Sequence, residues 1–393
     1  MTPTLLDSED VAWFRDEESL PSAARGAASA LARRIGLDGP RTAEIALAVS
    51  EAATNLRRHA VDGSLLLRVL RTETDAGLEF VTVDAGPGMA DVSHALTDGT
   101  SSAGTLGIGL GAISRLADTF DVHSLPGRGT VLAARFWNRA AARRAALAGE
   151  PVVAGLTRAI SGEDVCGDAW AARAAGSGPT PAGAEADRPA DPRSSDGRLD
   201  WAALTGAART GTAPRPVAAR RSAEPGALLM MFCDGLGHGP LAALAAQAAV
   251  AAFRVARSED PEGVMTEIHR ALRGGRGGAV AVVRIEPSAR RLLFCGVGNI
   301  STFVVDPGTD GRRSLPSAPG IVGHQVPTLR TLEQTLPQDS AVIMHSDGLT
   351  ERWQVGALPG LLRHTPVVVA GQLLREAAVR RDDAGVAVAK GPW

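Results

Sequence analysis

Gly104-Thr-Leu-Gly107-Ile-Gly109-Leu-Gly111 runs directly into Ala112-Ile-Ser-Arg-Leu-Ala117, so a glycine-rich loop opens onto an apolar helix. Glycines ahead of a helix leave backbone N–H groups free, and the positive end of the helix dipole adds to their pull on phosphate. No Gly-Lys-Ser/Thr follows, which excludes a P-loop. A Rossmann fingerprint is disfavoured, because the loop follows the polar stretch SHALTDGTSSA rather than a first βα turn. Two further patches lie upstream. Pro40 opens a helix, RTAEIALAVSEAATNLRRHA, on which Ile45, Ala48, Val49, Ala52 and Leu56 form an apolar stripe. Glu51, Asn55 and His59, four residues apart, form a polar ridge beside it. An amide and a carboxylate on one rigid face suit a divalent cation and a hydroxyl that needs a base; taken alone, the ridge also fits a solvated helix face. Asp84-Ala-Gly86-Pro-Gly88 ends the strand EFVTV. There glycines admit backbone close to a planar ligand, and the carboxylate can accept from an exocyclic amine, although Asp-x-Gly is also a common turn.

Around these patches residues 1–137 read as one α/β unit. A helix over 22–35 is closed by Gly36, and strands SLLLRVLRT, GLEFVTVDA and GTVLAARFW follow, with a helix GLGAISRLADTF before the last. Residues 138–149, rich in arginine and alanine, read as a linker to a second domain over 150–393. Within that domain residues 175–226 are so rich in Gly, Pro, Ala, Ser and Asp that a mobile insertion is expected. The chain of 393 residues is 45% hydrophobic and 21% charged, with formal net charge −2, so nothing marks nucleic acid or an anionic membrane as a partner. Three widely spaced cysteines make no disulfide framework and no C-x-x-C site. The acidic N-terminus is unlike a signal peptide, and no apolar run reaches the roughly 20 residues of a membrane span. A cytoplasmic protein is expected.

Aspartates recur at four sites of the second domain, Gly167-Asp168, Asp234-Gly235, Asp347-Gly348 and Asp382-Asp383, of which the second and third end the apolar runs LLMMFC and AVIM. A single strand is expected to run from VVAGLTRAI into GEDVCGDAW. Carboxylates converging at a buried strand end repel one another unless a cation neutralises them, and all-oxygen ligation selects Mg²⁺ or Mn²⁺ over zinc. Two such ions could acidify a bridging water and present hydroxide to phosphorus. Four ordinary Asp-Gly turns are the plain alternative.

In their order, SEAATNLRRHA, VDAGPGM and GTLGIGLGAISRLADTFDVHS with GRGT resemble the ATP-binding boxes of the GHKL (Bergerat-fold) superfamily, and within it the RsbT-type switch serine kinases. That resemblance implies ATP with Mg²⁺ held by Asn55 and a serine-activating base in Glu51. Adenine would be read by Asp84, and Gly86, Gly88, Gly107, Gly109, Gly111 and Thr130 would lie around the nucleotide; His59 would be structural. GEDVCGDAW, FCDGLGHGPLAA, CGVGNIS and HSDGLTERW resemble the SpoIIE-type phosphatases of the metal-dependent PPM family, near RsbX-like members. The implied fold is an αββα sandwich. Two Mn²⁺ or Mg²⁺ would be bridged by Asp168 and Asp234, with the Gly235 carbonyl, Asp347 and Asp382 completing the shell. His238 would shape its loop or meet phosphate, and Cys166 and Cys233 would pack. The family pattern has a threonine two residues after the last Asp-Asp, where this chain has Gly385, which puts the last ligand in question. The expected architecture is therefore α/β (α+β) in two domains. Its expected role is a bifunctional partner-switching regulator acting on STAS-domain antagonists, with a sigma factor or a downstream phosphatase beyond them. The alternative is an ATP-binding, sequestering module fused to a phosphatase.

Overall fold

The first domain begins with two helices, α1 (Leu20–Arg34) and α2 (Gly39–His59), packed side by side through alanines at helical spacing. Asp38 caps α2 by accepting from Arg41 N at 2.7 Å, and Pro40 occupies its first turn. The computed structural model describes residues 4–15, 18–97, 109–176, 226–309, 311–379, 382–391 and 393. Residues 175–226, expected to be a mobile insertion, lie outside that range apart from their ends.

Five antiparallel strands form the first sheet: β1 (Asp7–Arg15), β2 (Ser64–Arg71), β3 (Ala76–Val83), β4 (Thr119–Ser124) and β5 (Thr130–Phe136), in the order β1-β2-β3-β5-β4. Two of these were not expected. β1 lies in the acidic N-terminal stretch, and its register slips between Asp10 and Ala12, which blurs any alternation. β4 takes its first residues from the run read as a helix. That helix, α4 (Gly109–Leu116), stops at Asp118, whose carboxylate accepts from Arg41 Nη2 and from Trp137 N. Between the sheet strands lies the short α3 (Val92–Ala95). The expected linker is itself a helix, α5 (Arg139–Ala148), capped by Asn138 and seated on Leu70 and Trp137.

The second domain stacks two more five-stranded antiparallel sheets. One contains β7 (Asp168–Ala174), β8 (Leu228–Gly235), β9 (Gly278–Glu286), β10 (Arg291–Val297) and β13 (Leu332–Thr335). The other contains β6 (Val153–Arg158), β11 (Ser301–Asp306), β12 (Gly311–Leu315), β14 (Ala341–His345) and β15 (Ala384–Lys390). The stretch expected to be one strand is thus two, β6 and β7, in different sheets. Inner faces meet through Leu228, Met230 and Phe232 on one side and Val342, Met344 and Ala387 on the other. Alternate residues Leu229, Met231 and Cys233 face helices α6 (Pro240–Val255) and α7 (Pro261–Leu272). The last helix, α8 (Pro366–Ala377), lies on the outer face of the other sheet, which completes an αββα sandwich.

α8 also touches the first domain. Leu65, Leu67 and Val69 of β2 point toward α1 and α2, whereas Leu66, with Val81, Val83, Val131 and Ala133, shares one core with Val367, Val368, Leu373 and Leu374 of α8. Both faces of the first sheet are therefore buried, and its strands read as nearly unbroken apolar runs. At the seam Arg68, paired with Asp10 (3.0 Å) and Glu79 (3.4 Å) of its own sheet, donates to the Gly155 carbonyl of β6 at 3.0 Å. The two domains form one compact body.

Candidate functional site

Two sites emerge, one in each domain. In the first, α2 carries half-buried Glu51 and Asn55 along one face, with His59 exposed a turn further on. A β-carbon on Gly109 would lie 3.7 Å from Asn55 Nδ2, so the helix ridge and the start of α4 face each other closely. Gly104 and Gly107 lie outside the described residues; Gly109 and Gly111 begin α4. Asp84 follows β3, and its Oδ1 accepts from Gly86 N at 2.7 Å. Burial raises this carboxyl above its ordinary pKa, against the Gly86 and Thr130 amides and the nearby charges of Arg375 and His59.

Glycine is required around Asp84. A β-carbon on Gly86 would lie 2.6 Å from the His59 carbonyl, and Gly88, at φ +65°, would meet the Leu125 carbonyl at 2.0 Å. Gly129, at φ +73°, stacks directly on the Asp84 carbonyl. The turn from Ser124 to Thr130 is clamped to this loop, with Gly127 N donating to Pro87 O (2.7 Å) and Met89 N to Ser124 Oγ (2.8 Å). Thr130 hydrogen-bonds Ser124 through its hydroxyl at 2.8 Å. A half-buried acid ringed by close-approaching backbone can accept a hydrogen bond from a flat amine-bearing ring.

In the second domain Asp168 and Asp234 stand opposite each other in the β7–β8 register. Asp168 is buried; its Oδ2 accepts from Ser346 Oγ at 2.6 Å, while its Oδ1 is buried without a partner. Burial, and then repulsion from Asp234, push the Asp168 carboxyl well above its usual range. Burial, with Asp347, Asp382 and Asp383 adding repulsion, brings Asp234 up to about 7. Asp347, also raised by burial and by Asp382, accepts from Asn299 Nδ2 at 2.7 Å. Among the described residues no three acidic, imidazole or thiol groups close into a ready-made cage, so this is an open array of carboxylates. An orphaned carboxylate oxygen, an all-oxygen donor set and mutual repulsion nonetheless fit a hard divalent cation.

Adjacent aspartates divide the work. Asp382 is exposed and faces Asp347 and Asp234 electrostatically. Asp383 is buried and accepts from Ile160 N and Gly167 N, each at 2.7 Å, which fixes the segment that presents Asp168. Gly235 packs on the Ala242 carbonyl with no room for a β-carbon. Gly385 lies against Asp168, and its N–H donates to Ser346 Oγ at 3.1 Å. The hydroxyl that reaches Asp168 thus comes from Ser346. Ser346, Asn299 and Asp383 were not assigned from sequence, although each stands beside or within a quoted aspartate or glycine block. His238 is exposed, with Nδ1 3.2 Å from Glu163 Oε1. Cys233 is buried and Cys166 partly so, and burial raises both thiols.

Residues 14–136 match the model of the histidine kinase-like ATPase domain, and residues 224–380 that of stage II sporulation protein E. The serine/threonine-protein kinase RsbT of Bacillus subtilis (strain 168) is 34% identical over 117 residues, covering 30% of this chain and 88% of that protein. The chain belongs to the histidine kinase-like ATPase family. Its second half is homologous to phosphoserine phosphatase RsbX of the same organism, 28% identical over 122 residues. That match covers 31% of this chain and 61% of RsbX, so the chain spans about three fifths of that relative. A crystal structure of RsbX with magnesium aligns with 61% of this chain and 94% of its own, at 18% identity and a TM-score of 0.41. The ATPase-family domain and the SpoIIE-type domain are thus fused in one chain, and no described helix is long and apolar enough to cross a membrane.

Proposed function

We propose that the chain is a bifunctional partner-switching regulator. Its first half would be an ATP-dependent serine kinase and its second a metal-dependent phosphoserine phosphatase, both acting on STAS-domain antagonist proteins that govern an alternative sigma factor or a stress or developmental response. The observation that carries this reading is the meeting of Asp168 and Asp234 at two strand ends, with one buried carboxylate oxygen left unpaired.

Asp168 and Asp234 would hold two Mn²⁺ or Mg²⁺, with Asp347, Asp382 and the Gly235 carbonyl completing the shell. Bound ions of this kind supply an acidified water and a clamp on phosphoryl oxygens. The chain's own residues supply placement. Ser346 orients Asp168, Asn299 orients Asp347, and Asp383 anchors the segment before β7. In the kinase half Asn55 would hold Mg²⁺, Asp84 would accept from the adenine amine, and Gly86, Gly88, Gly107, Gly109, Gly111 and Thr130 would surround the nucleotide. Glu51 would take the proton of a substrate serine as that oxygen accepts the γ-phosphoryl group and ADP departs.

A phosphate adds nearly two negative charges to the antagonist, enough to release or recruit a partner. Two opposed activities on one substrate would merely consume ATP, so reciprocal control or distinct substrates follow. The test is transfer of ³²P from ATP to purified STAS-domain proteins, and its release from the phosphorylated forms. Label should pass onto serine and be freed in the presence of Mn²⁺; neither activity on any cognate antagonist would refute the proposal.

A further inference from the structure

α8 belongs to the phosphatase sandwich, yet residues of the kinase domain hold it at both ends. At its N-terminus Asp121 of β4 accepts from Thr365 N, Thr365 Oγ1 and His364 Nδ1, each at 2.7 Å. In mid-helix Gly371 lets the backbone settle on the kinase sheet, where a β-carbon would lie 2.8 Å from Val131 Cγ1. At its C-terminus Glu376 pairs with Arg128 at 3.1 Å, and Arg375 lies near enough to lower the pKa of Asp84 by its charge. Arg128 sits in the turn that Gly127 and Gly129 fasten to the Asp84 loop.

The same end of α8 is bonded through backbone to the segment that follows Asp347. Thr350 N donates to Ala377 O at 2.9 Å and Val379 N to Gly348 O at 2.7 Å. Gly348 follows Asp347 and packs against the Asp383 carbonyl. From Glu376 the path reaches the Asp84 loop through its ion pairs with Arg128 and with the neighbouring Arg375 in one direction. In the other it reaches the segment beside Asp347 through two backbone hydrogen bonds.

We propose that Glu376 of the phosphatase half is a positioning residue for the kinase nucleotide site, holding Arg128 and hence the turn over Asp84, so that nucleotide occupancy and phosphatase metal affinity are coupled through the C-terminal end of α8. This rests on the two-site reading above. Coupling is reciprocal by thermodynamic necessity: if nucleotide tightens or loosens metal binding, metal does the same to nucleotide. A single surface-adjacent pair of this kind couples its two sites modestly, by about 5-fold.

The test uses the full chain, with Mg²⁺ and the non-hydrolysable analogue AMP-PNP. Three quantities are read: AMP-PNP affinity by calorimetry, amide hydrogen exchange over residues 346–350 and 372–379, and the free Mn²⁺ giving half-maximal hydrolysis of p-nitrophenyl phosphate. With wild type, AMP-PNP should slow exchange in both segments and shift the Mn²⁺ midpoint by about 5-fold. Glu376→Gln should weaken AMP-PNP by a similar factor and abolish the shift. The exchanged pair Arg128→Glu with Glu376→Arg should recover both, which a merely destabilised fold would not. AMP-PNP binding that leaves exchange and the Mn²⁺ midpoint unchanged overturns the coupling alone. Failure to bind AMP-PNP at all overturns the two-site reading and the coupling with it.

Discussion

Replacing Asp121 with asparagine removes the charge that caps α8 while keeping the shape of the side chain. Burial alone would raise this carboxyl. Hydrogen bonds from His364 and Thr365, with the charge of His364, outweigh burial and bring it from 3.8 down to about 2. At roughly 1.4 kcal/mol per pH unit, that difference is worth about 2 kcal/mol. The sign is that of a depressed acid: the stabilisation is whole above about pH 5 and is lost as pH falls through 3.8 toward 2. For a chain of this size about 2 kcal/mol corresponds to a fall in melting temperature of about 3 °C at pH 7. Thermal unfolding of wild type and Asp121→Asn, followed by tryptophan fluorescence from pH 7 to pH 3, reads it directly. The gap should hold near 3 °C down to about pH 5 and then narrow. A gap that is independent of pH, or absent at pH 7, would show that the charge on Asp121 does not secure α8.

Glu51→Gln should lower serine phosphorylation by about 10²- to 10⁴-fold with little change in AMP-PNP affinity, as expected for loss of a general base. Asp234→Asn should reduce Mn²⁺-dependent p-nitrophenyl phosphate hydrolysis by at least about 100-fold, and excess Mn²⁺ should not restore it fully. Gly385→Thr, although it restores the family pattern, should destabilise the fold by about 1–3 kcal/mol, seen as a lower melting temperature. Its β-carbon would stand 2.7 Å from Phe232 Cζ and 3.0 Å from Asp168 Oδ2.

Periodicity and punctuation made most elements legible: the stripe on α2, the apolar runs of β2 and β3, the aspartate that opens β7 and those at the ends of β8 and β14. Those signals are local, and so they fail where distant chain decides. Asp118 ends α4 because Arg41 and the amide of Trp137 reach it, contacts 77 and 19 residues away. β1 is hidden because acidic residues interrupt its apolar pattern and a bulge between Asp10 and Ala12 breaks its register. Within Asp382-Asp383 nothing in the letters separates an exposed carboxylate from one that anchors Gly167 and Ile160. Likewise Leu66 and Val81 announce burial without saying that the layer above them is a helix of another domain. Asp121 and Thr365 meet across 244 residues of sequence.

The seam between the halves is a core closed by α8, and this constrains how such a protein can be inherited and processed. A protease that cut within α5 would leave the fragments held together, because Val83 and Val131 would still be buried against Val367 and Leu374. Separate expression of the first half would turn an apolar sheet face to water and favour aggregation. The opposing activities proposed for this chain would thus be made, retained and degraded in strict one-to-one dosage, leaving ligands rather than abundance to set their balance.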